Sequence, residues 1–161
     1  MFKIEVDDSV IRARLDSMPA RVHDALLKKV SELAEKLRTH VVSDKLSGQV
    51  LNRRTGALAR SIAENVEDAG TSITGKVFSS GDVKYAAIHE YGGVTAAHVI
   101  EAKNASVLAF MANGKQVFAK RVNHPGSRIP ERSYMRSSLG DMTQEIIDGM
   151  TQAVKEGAAG Q

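Results

Sequence analysis

Pro19-Ala20-Arg21-Val22-His23-Asp24-Ala25-Leu26-Leu27-Lys28-Lys29-Val30-Ser31-Glu32-Leu33-Ala34-Glu35-Lys36-Leu37 sets Val22, Leu26, Val30, Leu33 and Leu37 at spacings of 4, 4, 3 and 4. That period places all five on one stripe of a long α-helix, with Pro19 in the first turn, where a missing N–H is tolerated. The stripe lasts little over two heptads, which suits a core face better than a coiled-coil seam. Asp24 with Lys28, and Glu32 with Lys36, stand one turn apart on the outer side, each pair contributing about 0.2–0.5 kcal/mol.

Upstream of this helix, Ser9 to Ser17 reads as a short helix, and Phe2, Ile4 and Val6 alternate with Lys3 and Glu5 as a strand with one buried face does. Downstream, Ser43 to Asn52 is a loop by composition. Thr55 then caps a short helix carrying Leu58 and Ile62. Weak alternation around Glu64–Asp68 and Ile73–Ser79, broken by Ala69-Gly70-Thr71, predicts a hairpin. A second short helix runs from Lys84 to Tyr91, stopped by Gly92-Gly93.

Asn113-Gly114 is the strongest turn signal in the chain, because a type I′ turn needs positive φ at both positions and these residues adopt it cheaply. It sets a register: Ala112 opposite Lys115, Phe110 opposite Val117, Leu108 opposite Ala119, Ala109 opposite Phe118 and Val107 opposite Lys120. Both faces of that hairpin are largely apolar. The long helix can cover one; the other needs cover from within the chain or from a neighbouring subunit.

Asn123 to Pro130 is a turn-rich connector, and Pro130 is expected in the first turn of a closing helix. There Leu139, Met142, Ile146, Met150 and Val154 recur at 3, 4, 4 and 4, while Glu156 to Gln161 is expected to fray. The resulting fold class is α+β, an antiparallel sheet packed against a long N-terminal helix and a C-terminal helix. One domain is expected over residues 1–155, with a flexible tail at 156–161.

The 161 residues include no Cys, which excludes disulfides, thiolate zinc, iron–sulfur clusters and cysteine nucleophiles, and suits a reducing compartment. The longest apolar run, Val107 to Ala112, is far shorter than the roughly 20 residues of a membrane span. Without a signal-like apolar region near Met1, a cytoplasmic protein with no membrane partner is expected. Net charge is +3, yet Lys115 to Arg136 holds six basic residues (Lys115, Lys120, Arg121, Arg128, Arg132, Arg136) against Glu131 alone. That segment is either a solvated surface or the footprint of an anionic partner, DNA backbone or acidic protein. Its two aromatics, Phe118 and Tyr134, are too few for a stacking platform on single strands.

Three catalytic patterns fail on inspection. Gly70 to Lys76 matches the start of a P-loop, but Val77 stands where Ser or Thr must hold Mg²⁺, and the run continues as a strand. His89-Glu90 opens like a zinc-protease helix, but position 93 is Gly. No Gly-x-Ser-x-Gly elbow is present, and the five His have no ligand spacing. Asn104-Ala105-Ser106 reads as a glycosylation sequon with no secretory signal to support it. No enzyme activity, cofactor, metal or small-molecule substrate is expected.

Three further stretches belong together: Thr55-Gly56-Ala57-Leu58-Ala59-Arg60-Ser61-Ile62, Tyr85-Ala86-Ala87-Ile88-His89-Glu90-Tyr91-Gly92-Gly93 and Ile129-Pro130-Glu131-Arg132-Ser133-Tyr134-Met135-Arg136. In order and spacing they resemble the tail-completion and head–tail joining proteins of long-tailed bacteriophages, the gp-ten-like or virion morphogenesis group. The resemblance spans roughly Leu51 to Ile147; Ser133-Tyr134 departs from the Pro-Phe common in that group. It implies structural roles for the motif residues Gly56, Leu58, Glu90, Gly92, Pro130 and Arg132. It also implies a virion protein of the neck or tail, made in the host cytoplasm, that forms a sixfold homo-oligomeric ring contacting neighbouring neck and tail proteins.

Within that expectation, the hairpin residues Val107, Ala109, Phe110, Met111, Val117 and Phe118 are candidates for subunit contact. Arg53, Arg54, Lys120, Arg121, Arg128, Arg132 and Arg136 are candidates for facing a protein partner or DNA in the ring lumen. Arg132 and Arg136 are expected one turn apart on one helix face, facing carboxylates of a neighbour, phosphates, or a salt-bridge partner within the chain. The alternatives are a tail terminator ring protein and a small double-stranded DNA-binding protein.

Overall fold

The structure, a computed structural model, describes residues 9–81 and 83–159, with side chains from residue 18 onward. The strand expected at Phe2, Ile4 and Val6 lies outside the described residues. The chain divides into two compact units, residues 1–86 with 133–161, and residues 87–132. Among the described residues, no helix is long and apolar enough to cross a membrane.

The first unit is built on α1 (Ser9–Ser43). The short helix and the long one expected on either side of Pro19 are a single helix, with Pro19 in its interior. One missing backbone hydrogen bond is outweighed by a packed stripe of several turns. Of that stripe Val30 is buried, and it continues through Ala34 to Val41. The expected i,i+4 pairs give way to other partners. Glu32 accepts from Lys29 at 2.6 Å, while Lys36 pairs with Glu145 across the helix interface.

That interface is with α4 (Met135–Ala159), which starts five residues after Pro130 and not at it. The helices run antiparallel: Gly157 meets Val22, Gly149 meets Leu33, and Asp141 meets His40. The buried side of α4 is Ser138, Met142, Ala153 and Gly157, whereas Leu139 and Val154 of the expected stripe are exposed. Met142, buried, and Ile146 and Met150, half-buried, keep the expected inward face, and the small residues Ala153 and Gly157 extend it where they let the axes approach. A Cβ at Gly157 would lie 2.6 Å from Val22 Cα. Gly157 therefore sits in a packed helix end and not in the frayed tail expected from Glu156 onward.

Strands β1 (Ile62–Asp68) and β2 (Ile73–Ser79) form the expected antiparallel hairpin, and this is the strand pair that packs on α1. Gly75 of β2 sits against it, where an added Cβ would lie 3.0 Å from Val30 Cγ1. Before β1, α2 (Ala57–Ser61) begins with Thr55 Oγ1 accepting from Ala57 N at 3.3 Å. The expected loop after α1 contains a 3-10 turn, Lys45–Ser47, and puts Leu46 and Leu51 into the core. With Val41, Ile62 and Tyr134 they form one cluster, flanked by Leu58, Val77 and Met135.

The second unit holds most of α3 (Ala86–Tyr91) and six short strands: β3 (Gly93–Val94), β4 (His98–Glu101), β5 (Leu108–Ala112), β6 (Lys115–Ala119), β7 (Arg121–His124) and β8 (Arg128–Ile129). They pair antiparallel as β3–β8, β4–β7 and β5–β6, each a separate two-stranded sheet. With β1–β2, the α+β class expected from the sequence holds, but among the described residues its sheet is four small ones. Gly92 and Gly126 close the connections: both have positive φ, and a Cβ would come within 2.8 Å of Glu131 N and 2.2 Å of Thr95 O respectively.

Tyr134, 1% exposed, is the largest fully buried side chain among the described residues, and its hydroxyl donates to Ala86 O across a long 3.4 Å. Tyr134→Ala is expected to cost about 3–5 kcal/mol in urea unfolding, and Tyr134→Phe under about 1 kcal/mol.

Candidate functional site

The β5–β6 hairpin has the register its turn residues predict. Leu108 opposes Ala119, Ala109 opposes Phe118, Phe110 opposes Val117, Met111 opposes Gln116, and Ala112 opposes Lys115. Asn113 has φ 51° and Gly114 φ 75°, the paired left-handed geometry of a type I′ turn. Strand alternation then separates two faces. Leu108, Phe110, Ala112 and Ala119 are half-buried on one, with Val117 at its rim. Ala109, Met111 and Phe118 form the other, where Met111 is 68% and Phe118 62% exposed. Val107, just before β5, is half-buried.

This exposed face belongs to a unit without an apolar interior. Among residues 87–132, Glu90 is buried and no hydrophobic side chain is. Tyr91, Val94, Val99 and Ile100 are exposed alongside Met111 and Phe118. On β4–β7 the rings of His98 and His124 stack with centroids 5.0 Å apart, and His124 Nδ1 accepts from Gly126 N. Among the described residues, no group of three or more His, Asp or Glu is placed to hold a metal ion.

The expected basic residues are dispersed. Lys120, Arg121, Arg128 and Arg132 are exposed in the second unit, with Arg121 opposite Glu101 in the β4–β7 register. Arg136 is exposed on α4 of the first unit. Arg132 precedes α4 and its backbone N–H donates to His89 O, so the two arginines do not share a helix face. The reason is that α4 begins only at Met135, which leaves Pro130 and Arg132 in the connector before it. Arg53 and Arg54 do come together, and with them Arg38 and Arg60, around a concave site of about 420 Å³. Arg38 and Arg60 lie on different helices, so sequence spacing gave no sign of their convergence.

Of the motif residues, Gly56 has φ 74° before α2, Leu58 packs against the core cluster, and Glu90 is buried in α3. Residues 70–76, compared above with a P-loop, form a turn and the first part of β2. Compared with family models, curated proteins and solved structures, the chain matches none.

Charge also fastens the first unit. Lys45, nearly buried, donates to Asp141 at 2.6 Å, and His40 lies 2.5 Å from Asp44 and 3.1 Å from Asp141. The Lys45 ammonium, then His40, hold the Asp141 carboxyl below its ordinary 3.8. Near the other end of α1, His23 is raised above 6.5 by its hydrogen bond to Asp68, and Asp68 is lowered by Gly70 N–H and then by His23. Depressed carboxyls contribute stability that is complete above their ordinary values and lost as pH falls through the native ones. The raised His23 contributes below 6.5 and its share is lost as pH rises through its native value. Thermal midpoints are therefore expected to fall below about pH 4, less steeply in Asp141→Asn, and to fall modestly above neutrality, a limb that His23→Gln removes.

Proposed function

We propose that the chain is a non-enzymatic ring subunit of a phage neck or tail, which completes the tail end and prepares it to join the head. The observation that carries this reading is the outer face of β5–β6, Ala109, Met111 and Phe118, left exposed on a unit whose own residues bury no hydrophobic side chain. Two-stranded sheets are marginal alone, and a contiguous apolar face gains stability when another surface covers it. A second copy supplies such a surface in a ring. The three motifs over Leu51 to Ile147 support the phage assignment, and the resemblance implies sixfold closure with neck and tail proteins as neighbours.

Flanking features suit an assembly part better than a catalyst. Gly92 and Gly126 hold connections whose geometry other residues would strain, so the hairpins are presented in defined positions within their unit. The exposed arginines and lysines of the second unit leave its surface basic, which suits acidic neighbours.

Two substitutions on opposite faces of one hairpin test the reading. Phe118→Glu is expected to leave circular dichroism and thermal midpoint unchanged while converting an oligomer to a monomer in sedimentation. Phe110→Glu, on the half-buried face, is expected to lower stability by about 1–3 kcal/mol. A wild-type chain that stays monomeric at about 100 μM, above the usual range for specific self-association, would overturn the ring. So would a Phe118→Glu chain that still assembles.

A further inference from the structure

Arg38, Arg53, Arg54 and Arg60 line one concave site in the first unit, formed where the end of α1 meets the segment leading into α2. Four guanidiniums around about 420 Å³ repel one another unless counter-charges are present. One is: Glu64 pairs with Arg38 at 3.0 Å, while Arg38 Nε donates to Ile62 O at 3.1 Å. The remaining contacts are to neutral oxygens. Arg53 Nη2 donates to Val42 O at 3.2 Å and Ser47 Oγ at 3.1 Å, and Arg60 Nη1 donates to Thr55 O at 3.1 Å. Arg54 is exposed and makes no hydrogen bond or ion pair among the described residues. Carbonyl and hydroxyl oxygens orient a guanidinium without offsetting its charge, and among the described residues no carboxylate pairs with Arg53, Arg54 or Arg60.

Backbone geometry helps to create this arrangement. Gly56, with φ 74°, lies beneath both arms: a Cβ there would fall 2.9 Å from Arg60 Nη1 and 3.7 Å from Arg53 Cδ. The site is thus shaped by a residue with no side chain, and two of its arginines are held in place before anything binds. Holding them in advance lowers the entropic cost of capture.

We propose that this pocket binds phosphate groups. A guanidinium fork matches phosphate oxygens bidentately, and a phosphate-bearing ligand brings enough charge to offset several arginines, where a lone carboxylate offsets one. Among the described residues no aromatic side chain lines the site, so they offer no stacking surface for a base, and recognition rests on the phosphate. Two sources share this chemistry, the backbone of duplex DNA and a small free phosphate compound. The assignment does not depend on ring formation, because every residue of the site comes from one unit of one chain.

Arg54 is the residue to change, since its exposure and lack of partners let the fold tolerate substitution. The full chain, and the chain carrying Phe118→Glu so that avidity does not enter, are titrated with inorganic pyrophosphate by calorimetry. The same two proteins are titrated with a labelled random duplex of about 24 base pairs by anisotropy, at about 50 and 200 mM salt. At least one probe is expected to bind, about fivefold or more weaker to Arg54→Gln and partly restored in Arg54→Lys, with Lys155→Gln changing it less than about twofold. If the duplex is bound, its salt slope should drop by about 1 in Arg54→Gln, identifying backbone phosphate as the source. Binding of pyrophosphate without duplex identifies a small phosphate compound. The assignment is overturned if neither probe binds, if Arg54→Gln and Lys155→Gln weaken binding alike, or if a poly-glutamate peptide binds as tightly as the better phosphate probe.

Discussion

Helices α1 and α4 approach so closely at Gly157 that any side chain there would collide with the backbone of Val22. That approach fixes which side of α4 faces inward, because Ala153 and Ser138 must follow Gly157 into the interface. It also fixes the antiparallel register, in which Glu145 meets Lys36 and Asp141 meets Lys45 and His40 at the far end of α1. Tyr134, one residue before α4, is thereby set into the cluster of Val41, Leu46, Leu51 and Ile62. Close packing of small residues and a partly buried ion pair thus act at opposite ends of one helix pair.

The second unit is organised by different physics. Its strands are held by backbone ladders and by connections such as Thr95 N to Ser127 O at 2.9 Å and Ser127 N to Thr95 Oγ1 at 2.8 Å. Hydrogen bonds of this kind define geometry but add modestly to stability, since the unfolded chain bonds equally well to water. Burial of apolar side chains stabilises most folds more strongly, and here those side chains are spread over exposed faces. A segment so built gains most from cover supplied by another molecule.

Local signals were legible in the sequence wherever a few neighbouring residues decide the outcome. Asn113-Gly114 determined the β5–β6 register pair by pair, and Ala69-Gly70-Thr71 located the β1–β2 turn. Thr55, expected as the cap of α2, accepts the Ala57 N–H, but the cap position itself is Gly56. What escaped was set by partners distant in sequence. Leu46 and Leu51 looked like loop residues because polar neighbours hide their spacing, and Gly157 looked like tail because nothing local reveals Val22 beside it. Pro19 and Pro130 both misled: the first lies inside a helix that continues through the packed stripe after it, and the second precedes a connector in which the helix starts only at Met135. Of the candidate contact residues, alternation alone separated Met111 and Phe118 from Phe110, but which face is exposed depended on tertiary packing.

The exposed hairpin face and the arginine pocket call on forces that respond to solution conditions in opposite ways. Apolar cover is strengthened by salts excluded from protein surfaces, whereas capture of phosphate weakens as counterions compete. A protein that used both would assemble most firmly where it held phosphate least, so the two interactions need not compete during assembly. The arginines are positioned by Val42, Ser47 and Thr55 within the first unit, while Met111 and Phe118 are positioned by the type I′ turn of the second. Each surface therefore owes its geometry to contacts within its own unit, and changing one leaves the chemistry of the other intact.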